Sequence, residues 1–322
     1  MKKILLLSLL LGACGKFEDP TIVIDLRVLG MVAYPPEQLV PYDPNNPPDP
    51  STIHLEHVYI GALVADPGAS RALEYTMTAC PPASGDRCDP SEPSVVIGGG
   101  TIEDPDETGQ QPDAIMEPSP QLFAVIEQAA KDDPLKGFSG IDIMIEMRVN
   151  PHGATEEQAV YGTKGVRFGA QVPADRTPNQ NPSATFEIRS EPDDGNAPRT
   201  LSNAPCAARA DVQPMDLAAG ESLRFQPMEP PGARETYVVP TFDGGSLTLT
   251  ENLSYAWFTG EGGSWDSGST GGPRDAFGND PPLSNVFTAD RVTTERFVPI
   301  YIVQRDERLG QMFYVDCLRI HP

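Results

Sequence analysis

The sequence is poor in the residues from which most enzymes and metal sites are built. Its 322 residues include four histidines and two tryptophans, and it contains no HExxH, GxSxG, P-loop or dinucleotide-binding motif. Basic residues are scarce too: 23 lysines and arginines stand against 46 acidic residues, a formal charge of −23. Because a surface of that sign repels phosphate groups, binding to nucleic acid is disfavoured. These absences predict a protein that is not an enzyme and has no nucleic-acid partner.

Long apolar runs are also lacking, and the most pronounced one lies at the N-terminus. Lys2 and Lys3 precede an apolar stretch at residues 4–11, which is shorter than the ~18–20 residues that span a bilayer as a helix. Small residues and Cys14 follow, in the three-part layout of a secretory signal. The quartet Leu-Gly-Ala-Cys at 11–14 resembles the bacterial lipobox, which implies cleavage before Cys14 and lipid on that cysteine. An ordinary secretory signal or a plain N-terminal helix is the alternative.

Lipid on Cys14 would supply a membrane attachment that the charge of the chain opposes. Removing residues 1–13 takes away two lysines and no acidic residue, so the formal charge of the remainder is −25. Such a surface repels anionic lipid, and attachment must come from acyl chains. Gly15 stands where an aspartate would signal retention at the inner membrane in the best-known bacterial sorting rule. We therefore expect lipid anchoring in the outer membrane, at its periplasmic face or at the cell surface.

The cysteine count fits an exported protein. Of five cysteines, one is assigned to lipid, and an even remainder predicts two disulfides with three possible pairings. We favour Cys80–Cys88, which closes a short loop rich in turn-forming residues. The second pair is then Cys206–Cys317, which joins the start of the C-terminal region to its last strand. A zinc site is less favoured, because Cys80 and Cys88 lack CxxC spacing and a histidine pair nearby.

Alternation of apolar and polar residues recurs along the chain and predicts β-strands. The stretch at residues 21–37 is predicted to form the first strand, which Pro35-Pro36 ends, with apolar positions 22, 24, 26 and 28 on one face. Because this strand starts soon after Cys14, the anchor is expected to lie close to the first domain. Residues 246–260 are predicted to be one long strand in which Leu253, Tyr255 and Trp257 share a face.

One segment has helical periodicity. Ser119 can cap a helix and Pro120 suits its first turn, while Pro134 ends it. The apolar residues at 122, 125, 126 and 129 recur at the spacing of one helical face. We predict a single helix over this segment.

Many short strands with few helices are typical of β-sandwiches. The chain is longer than one typical domain, and residues 173–205, rich in proline, asparagine and aspartate, predict a linker. We predict an all-β protein of two Ig-like antiparallel β-sandwiches with long Pro/Gly-rich loops and one short helix inserted in the first. The sandwiches span 22–172 and 206–322, after a signal peptide at 1–13 and a tether at 14–21.

Four stretches carry a family resemblance. "VLGMVAYPPE" and "ALVADPGASRALEYTMTACP" in the first half, with "LSYAWFTGEGGSWD" and "IVQRDERLGQ" in the second, resemble the tandem Ig-like lipoproteins of myxobacterial and related envelopes. In that family a Tyr-x-Trp strand is followed by an Arg-Asp turn. The resemblance implies the fold and the placement in the envelope, and it implies no activity.

Two features are candidates for ligand binding. Trp265 lies in the glycine-rich loop "GEGGSWDSGSTGG" and is a candidate ligand contact, although it can equally fold back onto the sandwich. The acidic loop at 103–107 and the pair Asp193-Asp194 offer oxygen ligands that calcium prefers, but neither matches an EF-hand loop. His54 and His57 fall on opposite faces of a strand and are not expected to share a metal. We expect no cofactor, with calcium as the one ion to consider.

These observations favour a lipid-anchored, non-enzymatic envelope protein that acts as a structural, adhesion or assembly module. Its partners are expected to be the membrane, through the N-terminal lipid, and another envelope protein, bound by loops or exposed strand edges. The alternative is a carbohydrate- or peptidoglycan-binding protein or a hydrolase accessory. Trp265 is the residue that motivates a glycan partner.

Overall fold

Two β-sandwiches make up the described chain, which confirms the predicted all-β fold class. The structure is a computed structural model, and it describes residues 19–41, 53–67, 70–82, 85, 87–135, 140–241 and 244–322. Cys14 and the predicted signal peptide lie outside these residues, so both remain predictions. In the part of the chain that is described, no helix has the length and apolar character needed to cross a membrane.

The first sandwich packs a three-stranded sheet against a five-stranded sheet. Its elements are β1 (Arg27–Tyr34), β2 (Glu37–Pro41), β3 (Val58–Ala65), β4 (Leu73–Cys80), β5 (Val95–Ile102), α1 (Pro105–Thr108), β6 (Asp113–Met116), α2 (Pro120–Asp132), β7 (Ile141–Pro151) and β8 (Val160–Gln171). The strand orders are β1-β3-β6 and β2-β8-β7-β4-β5. Strand pairs are antiparallel except β2 with β8, which is parallel. Side chains from both sheets form one apolar core.

The helix predicted from the sequence is α2. The hydroxyl oxygen of Ser119 accepts a hydrogen bond from the backbone N–H of Leu122 at 3.1 Å, and Pro120 occupies the first turn. Leu122, Val125 and Ala129 are buried against the core of the first sandwich, on the predicted face. The short helix α1 forms where the sequence predicts an acidic loop, so the described part of the first sandwich holds two α-helices and the 3₁₀ turn Glu156–Gln158.

The second sandwich packs two five-stranded sheets, and a hairpin stands apart from both. Its strands are β9 (Thr185–Glu191), β10 (Arg199–Thr200), β11 (Met215–Ala218), β12 (Ser222–Met228), β13 (Thr236–Pro240), β14 (Ser246–Thr250), β15 (Ser254–Thr259), β16 (Gly263–Trp265), β17 (Ser269–Gly271), β18 (Asn285–Ala289), β19 (Arg296–Arg305) and β20 (Gln311–His321). The sheets have the orders β10-β9-β12-β18-β16 and β11-β20-β19-β15-β17. The β11–β20 pair is parallel.

The linker predicted at 173–205 is too long. β9 pairs along its whole length with β12, and β10 pairs with β9. Phe186 and Ile188 of β9 are buried in the core of the second sandwich. The second sandwich therefore begins near residue 185, because the strand-like stretch "ATFEIRS" within the predicted linker belongs to the sheet.

The strand predicted for 246–260 is in fact two strands in different sheets. β14 ends at Thr250, and β15 starts at Ser254. Leu253, Tyr255 and Trp257 do share a fully buried face, whereas all five residues of β14 are exposed. Period-two alternation predicts strand geometry, and it does not show that the chain leaves one sheet for another.

The N-terminal strand starts later than predicted and packs differently. β1 begins at Arg27, and Ile24, predicted to face inward, is 38% exposed while Val23 is fully buried. The N–H of Val23 donates to the carbonyl of Thr259 at 2.7 Å, and the N–H of Thr259 donates to the carbonyl of Thr21 at 2.9 Å. The N-terminal segment is therefore attached to the second sandwich as well as the first, because β15 offers it backbone partners.

A buried apolar cluster joins the two sandwiches. Residues of the N-terminal segment, β1 and β3 meet residues of β19 in this cluster. Its buried members are Val23, Leu29, Leu63, Ala65, Tyr301 and Val303. Contacts between domains resist relative motion when they are buried and apolar. We therefore expect the two sandwiches to move as one body.

Both predicted disulfides are present. Cys80 is bonded to Cys88 within the first sandwich, and Cys206 is bonded to Cys317 within the second. The second bond fastens the 3₁₀ turn Cys206–Ala208 to β20. This turn lies at the boundary between the two sandwiches, next to α1.

Loss of the long-range disulfide is expected to cost more stability than loss of the short one. The bonds span 111 and 8 residues, and the chain-entropy relation assigns them about 4.8 and about 2.5 kcal/mol. Cys206→Ala/Cys317→Ala should therefore lose more free energy of unfolding than Cys80→Ala/Cys88→Ala, measured by urea denaturation with tryptophan fluorescence. Equal losses, or a larger loss for the short loop, contradict this ranking.

Candidate binding site: the cleft between the sandwiches

A cleft of about 610 Å³ lies between the two sandwiches. The first sandwich contributes α1 and the end of β3, and the second contributes the turn after residue 205 with one face of β19 and β20. Among the lining residues are Asp104, Asp106, Phe297, Phe313 and Val315. Ligand sites are mostly apolar concavities with a few placed polar groups, and the cleft has this composition.

The wall on the first sandwich is built by the helical turn α1. The carboxylate of Asp104 accepts a hydrogen bond from the N–H of Asp106 at 2.9 Å, and its backbone carbonyl accepts one from the N–H of Thr108 at 2.9 Å. Gly109 follows with a φ of +72°, a conformation that favours glycine. A Cβ on Gly109 would lie 3.2 Å from Pro205 of the second sandwich. Glycine therefore lets α1 approach the opposite wall.

The opposite wall is held in place by the Cys206–Cys317 disulfide, which fixes the 3₁₀ turn against which α1 packs. Just after this turn, the guanidinium of Arg209 lies over the ring of Phe297, 5.3 Å from its centroid. A cation at this distance from an aromatic ring is attracted to it. Phe297 is 40% exposed, so its ring remains accessible at the rim of the cleft.

The floor of the cleft pairs a carboxyl group with a buried tyrosine. Burial, together with the neighbouring carboxylates of Asp104 and Asp66, raises the pKa of Asp106 to about 6, while a hydrogen bond with Tyr301 opposes that rise. Burial also raises the pKa of Tyr301, and Asp106 adds to the rise. At neutral pH Asp106 is therefore mostly ionised and accepts the bond from the tyrosine hydroxyl, so the floor carries negative charge.

The cleft thus combines accessible apolar surface with negative charge. Asp104 and Asp106 supply carboxylates, whereas Arg209 is the only basic residue among the described lining residues. Its position over Phe297 demonstrates that a guanidinium fits against the aromatic surface here. The arrangement suits a cationic group on an apolar stem, such as a lysine or arginine side chain of another protein.

A second groove, of about 700 Å³, lies on the second sandwich around β9 and the β11–β12 turn. Its lining is mainly charged and polar, and two of its carboxylates are already bonded to arginines. Glu191 accepts from Arg224 at 2.6 Å, and Asp216 accepts from Arg319 at 2.5 Å. Because it offers little apolar surface, we regard the interdomain cleft as the stronger candidate.

A buried charge network connects the sandwiches beyond the apolar cluster. Arg308, in the β19–β20 turn, is 7% exposed and lies 2.9 Å from Glu37 of β2, 3.3 Å from Glu251 and 3.4 Å from Glu235. Glu37 also accepts a bond from Arg176 at 2.6 Å. We call these five residues the Arg308 network. It links the first sandwich to the base of the β13–β14 hairpin.

Glu251 in this network and Lys164 beside it have pKa values shifted to near neutral pH. Burial is the main cause that raises the pKa of Glu251 to about 7, and Asp306 and Glu235 add to it while Arg308 opposes it. Burial likewise lowers the pKa of Lys164 to about 8, against the effect of Asp306. The Lys164 ammonium donates to the backbone carbonyl of Leu309 in the same turn. Both groups can therefore change charge near neutral pH.

Trp265 does not form the exposed loop tip that the glycan-binding interpretation requires. It is 5% exposed, and its ring centroid lies 4.9 Å from that of Trp257, 5.1 Å from Phe225 and 5.4 Å from Phe287. The prediction that Trp265 presents an exposed indole to a ligand is therefore wrong. The alternative holds: β16 carries the side chain into the aromatic core, because the loop around it is itself strand.

The calcium candidates do not converge in the described chain. Asp104 and Asp106 lie in the cleft, whereas Asp193 and Asp194 lie in an exposed turn and accept bonds from nearby backbone N–H groups. His54 and His57 are exposed in the irregular segment before β3. Within the described residues, no group of three or more histidines, cysteines or acids could hold a metal.

The residues that build the cleft and the Arg308 network carry little signal in the sequence. Acidic residues number 46, and no local pattern separates a buried Glu37 or Glu251 from a solvated one. The stretch "IVQRDERLGQ", which resembles a family motif, contains Arg308. Phe297 lies in a run of alternating residues whose outer face would ordinarily be solvated.

Comparisons with known proteins add little to these observations. No protein-family model matches the chain, and no curated protein matches it. Two tandem V-type regions of a v-region-containing chitin binding protein align with 92% of this chain and 100% of theirs, at 9% identity and a TM-score of 0.26. Extracellular cadherin domains 3–6 of protocadherin gamma B2 align with 58% of this chain and 33% of theirs, at 9% identity and a TM-score of 0.19.

A bacterial structure matches at a similar level. The C-terminal domain of the Streptococcus pyogenes antigen I/II-family protein AspA aligns with 58% of this chain and 56% of its own, at 10% identity and a TM-score of 0.18. Scores this low carry no argument about ligand or partner. The tandem-sandwich description therefore rests on the sheets of this chain.

The pH dependence of stability should report the protonation of Glu251. Its pKa in the folded state is about 7, above its ordinary value of 4.5, so the folded state binds the proton more tightly. Its contribution to the free energy of unfolding is therefore complete below pH 4.5 and is lost as the pH rises through 7. From pH 5 to pH 8 the loss should be on the order of 2 kcal/mol.

Glu251→Gln should flatten this dependence in urea titrations at pH 5, 6, 7 and 8. The matched control is Glu261→Gln, which changes an exposed acid of the same sandwich and should leave the pH profile unchanged. A Glu251→Gln profile parallel to that of the native chain would contradict the assignment.

Proposed function

We propose that the protein is a lipid-anchored, non-enzymatic protein of the bacterial cell envelope that acts as a structural or assembly module through protein–protein contacts. The observation that carries this proposal is the cleft, an apolar and acidic concavity between two sandwiches that a buried apolar cluster joins. A preformed site of this kind needs little ordering when a partner binds. The family resemblance of the sequence supports the same placement.

The partner that suits the cleft is a protein segment with lysine or arginine next to apolar residues. Asp104 and Asp106 complement its positive charge, and Phe297, Phe313 and Val315 complement its apolar surface. Charge complementarity of this kind speeds association and weakens with salt. The negative charge of the whole chain favours a partner of the opposite sign.

Anchoring through Cys14 would place the second sandwich close to the membrane. The described chain starts at Asp19, five residues after Cys14, and five extended residues reach about 18 Å at most. The next residues, Thr21 and Val23, bond to Thr259 at one end of β15. The end of the second sandwich that contains Thr259 therefore faces the membrane in this proposal.

The residue that motivated the glycan-binding alternative is not available to a sugar. Trp265, which was to provide an exposed aromatic surface, is packed in the aromatic core. In the part of the chain that the structure describes, the exposed ring of Phe297 lies beside carboxylates and an arginine, and the exposed ring of Phe277 lies in a turn next to Asp275. We therefore propose a protein partner and not a glycan.

Lipidation is tested by metabolic labelling with an alkyne-tagged palmitate in the native host. The native chain should incorporate label and fractionate with the outer membrane, and Cys14→Ser should lose both properties. Gly15→Ala is the matched control and should retain them. A native chain that stays unlabelled, or a Cys14→Ser chain that keeps the label, argues against the anchor.

The cleft is tested by crosslinking in cells followed by mass spectrometry. Asp106→Asn/Phe297→Ala removes one charge and one exposed ring from the cleft, and the yield of the main crosslinked partner should fall about tenfold, equivalent to about 1.4 kcal/mol. Val96→Ala/Asp193→Asn changes an exposed apolar residue and an exposed acid elsewhere and serves as control. Equal loss in both variants, or no loss in the cleft variant, counts against the cleft as the binding surface.

A further inference from the structure

The β13–β14 hairpin has an open edge. The two strands pair with each other, and among the described strands neither pairs with a third. A two-stranded ribbon is only marginally stable in water, and three or more strands with an apolar face are needed for independent stability. The ribbon is therefore an incomplete sheet.

β14 is the strand whose edge is available. All five of its residues are exposed, whereas Tyr237, Val238 and Val239 of β13 are half-buried. The guanidinium of Arg308 lies 4.5 Å from the centre of the Tyr237 ring and attaches β13 to the body of the protein. Pro240 has no N–H, which further blocks the outer edge of β13. A new strand can therefore add at β14.

The register shows which backbone groups of β14 point outward. At the base of the ribbon, the N–H of Glu251 donates to the carbonyl of Glu235 at 3.0 Å. Bonded and non-bonded pairs alternate along an antiparallel ribbon. The N–H and C=O groups of Ser246, Thr248 and Thr250 therefore face away from β13 and lack a partner strand.

The sequence of β14 is complementary to itself. It reads Ser-Leu-Thr-Leu-Thr, so an antiparallel copy centred on Thr248 places hydroxyl residues opposite hydroxyl residues and leucines opposite leucines. Leu247 and Leu249 are 52% and 37% exposed, and in such a pair the leucines of both copies meet on one face. A strand of this pattern suits a two-fold contact.

The ribbon also lacks the charges that normally prevent edge pairing. β13 and β14 contain no charged side chain, in a chain with a formal charge of −23, and Asp243 is the one charged residue between them in the sequence. Charged residues on edge strands are a common protection against edge-to-edge contact. Two copies of the chain carry the same net charge and repel each other. This repulsion is weakest where the facing surfaces carry no charge. The uncharged edge therefore favours a second copy as the occupant.

We propose that β14 pairs with β14 of a second copy of this chain, antiparallel about a two-fold axis at Thr248. The outward groups of Ser246, Thr248 and Thr250 form up to about six backbone hydrogen bonds across the axis. The result is a four-stranded sheet, with the leucines of both copies beside Tyr237 and Val239 on one face. This inference goes beyond the proposed function and requires neither the lipid on Cys14 nor a partner in the cleft.

The ribbon lies where such a contact is sterically open. The N-terminal segment bonds to Thr259 at one end of β15, whereas Glu251 and Arg308, at the base of the ribbon, lie at the other end. A chain attached through its N-terminus therefore presents the ribbon on the side opposite to the attachment. Two neighbouring copies on one surface can pair there.

Cysteine crosslinking of the purified full chain tests the two-fold axis. In a bonded antiparallel pair the two Cα atoms at the axis lie about 5.5 Å apart, within reach of a disulfide. Thr248→Cys should give about tenfold more covalent dimer under mild oxidation than Thr236→Cys, which places the thiol at the exposed first residue of β13. The native chain, oxidised in the same way, gives the background amount of dimer that forms through Cys14. Equal dimer from both variants, or none from Thr248→Cys, overturns the proposal.

Sedimentation equilibrium provides a second measurement. Thr248→Pro removes an outward N–H and leaves the bonds within the hairpin, so the dissociation constant of the dimer should rise about tenfold. Thr248→Val keeps the N–H and should leave the dissociation constant unchanged. Salt should strengthen the dimer by screening like charges, and it should weaken a cationic partner in the cleft.

The outcomes of the two proposals are separable, because the dimer is measured without any partner present. A chain that is monomeric in both measurements overturns the pairing of β14 and leaves the cleft untouched. A different result would be that the native chain forms no dimer and that Thr248→Pro loses a crosslink to another protein. This result assigns the edge of β14 to a strand of that other protein and also overturns the proposal.

Discussion

The guanidinium of Arg308 is the contact on which the relative position of the two sandwiches depends. It is nearly buried and bonds Glu37 of one sandwich and Glu251 of the other. A buried charge is tolerated when its partners surround it, and losing one partner typically costs ~3–5 kcal/mol. Because the carboxylates come from both sandwiches, any sliding between them would leave charges unpaired. The network therefore specifies a single arrangement where an apolar interface alone would permit several.

The other features of the interface follow from that arrangement. The turn that carries Arg308 also receives hydrogen bonds from Lys164 and from the side chain of Asn179, both outside the second sandwich. With the turn seated, β19 lies against β1 and β3, and Val23 completes the apolar cluster. The same placement sets α1 opposite the turn held by Cys206, and the space left between them is the cleft. The site is thus a product of the interface, and neither sandwich contains it alone.

The two candidate binding surfaces differ in charge and therefore suit different partners. The cleft is acidic and apolar, so it suits a cationic segment. The β13–β14 ribbon is uncharged and suits another uncharged strand edge. The pKa of Glu251 near 7 makes the Arg308 network at the base of the ribbon responsive to acidification. A lower pH removes a surplus negative charge from the network and stabilises the folded chain.

The sequence by itself determined the local structure. Alternation predicted the strands, Ser119 and Pro120 predicted the start of α2, and the parity of the cysteines predicted two disulfides, because each of these rules acts over short distances or counts residues. Only the tertiary structure decided which segments meet. It buried Trp265, drew the N-terminal segment onto β15, and made Arg308 the centre of an interface. These outcomes depend on contacts between residues far apart in the chain, and a local pattern cannot distinguish one acid among many or a strand that changes sheets.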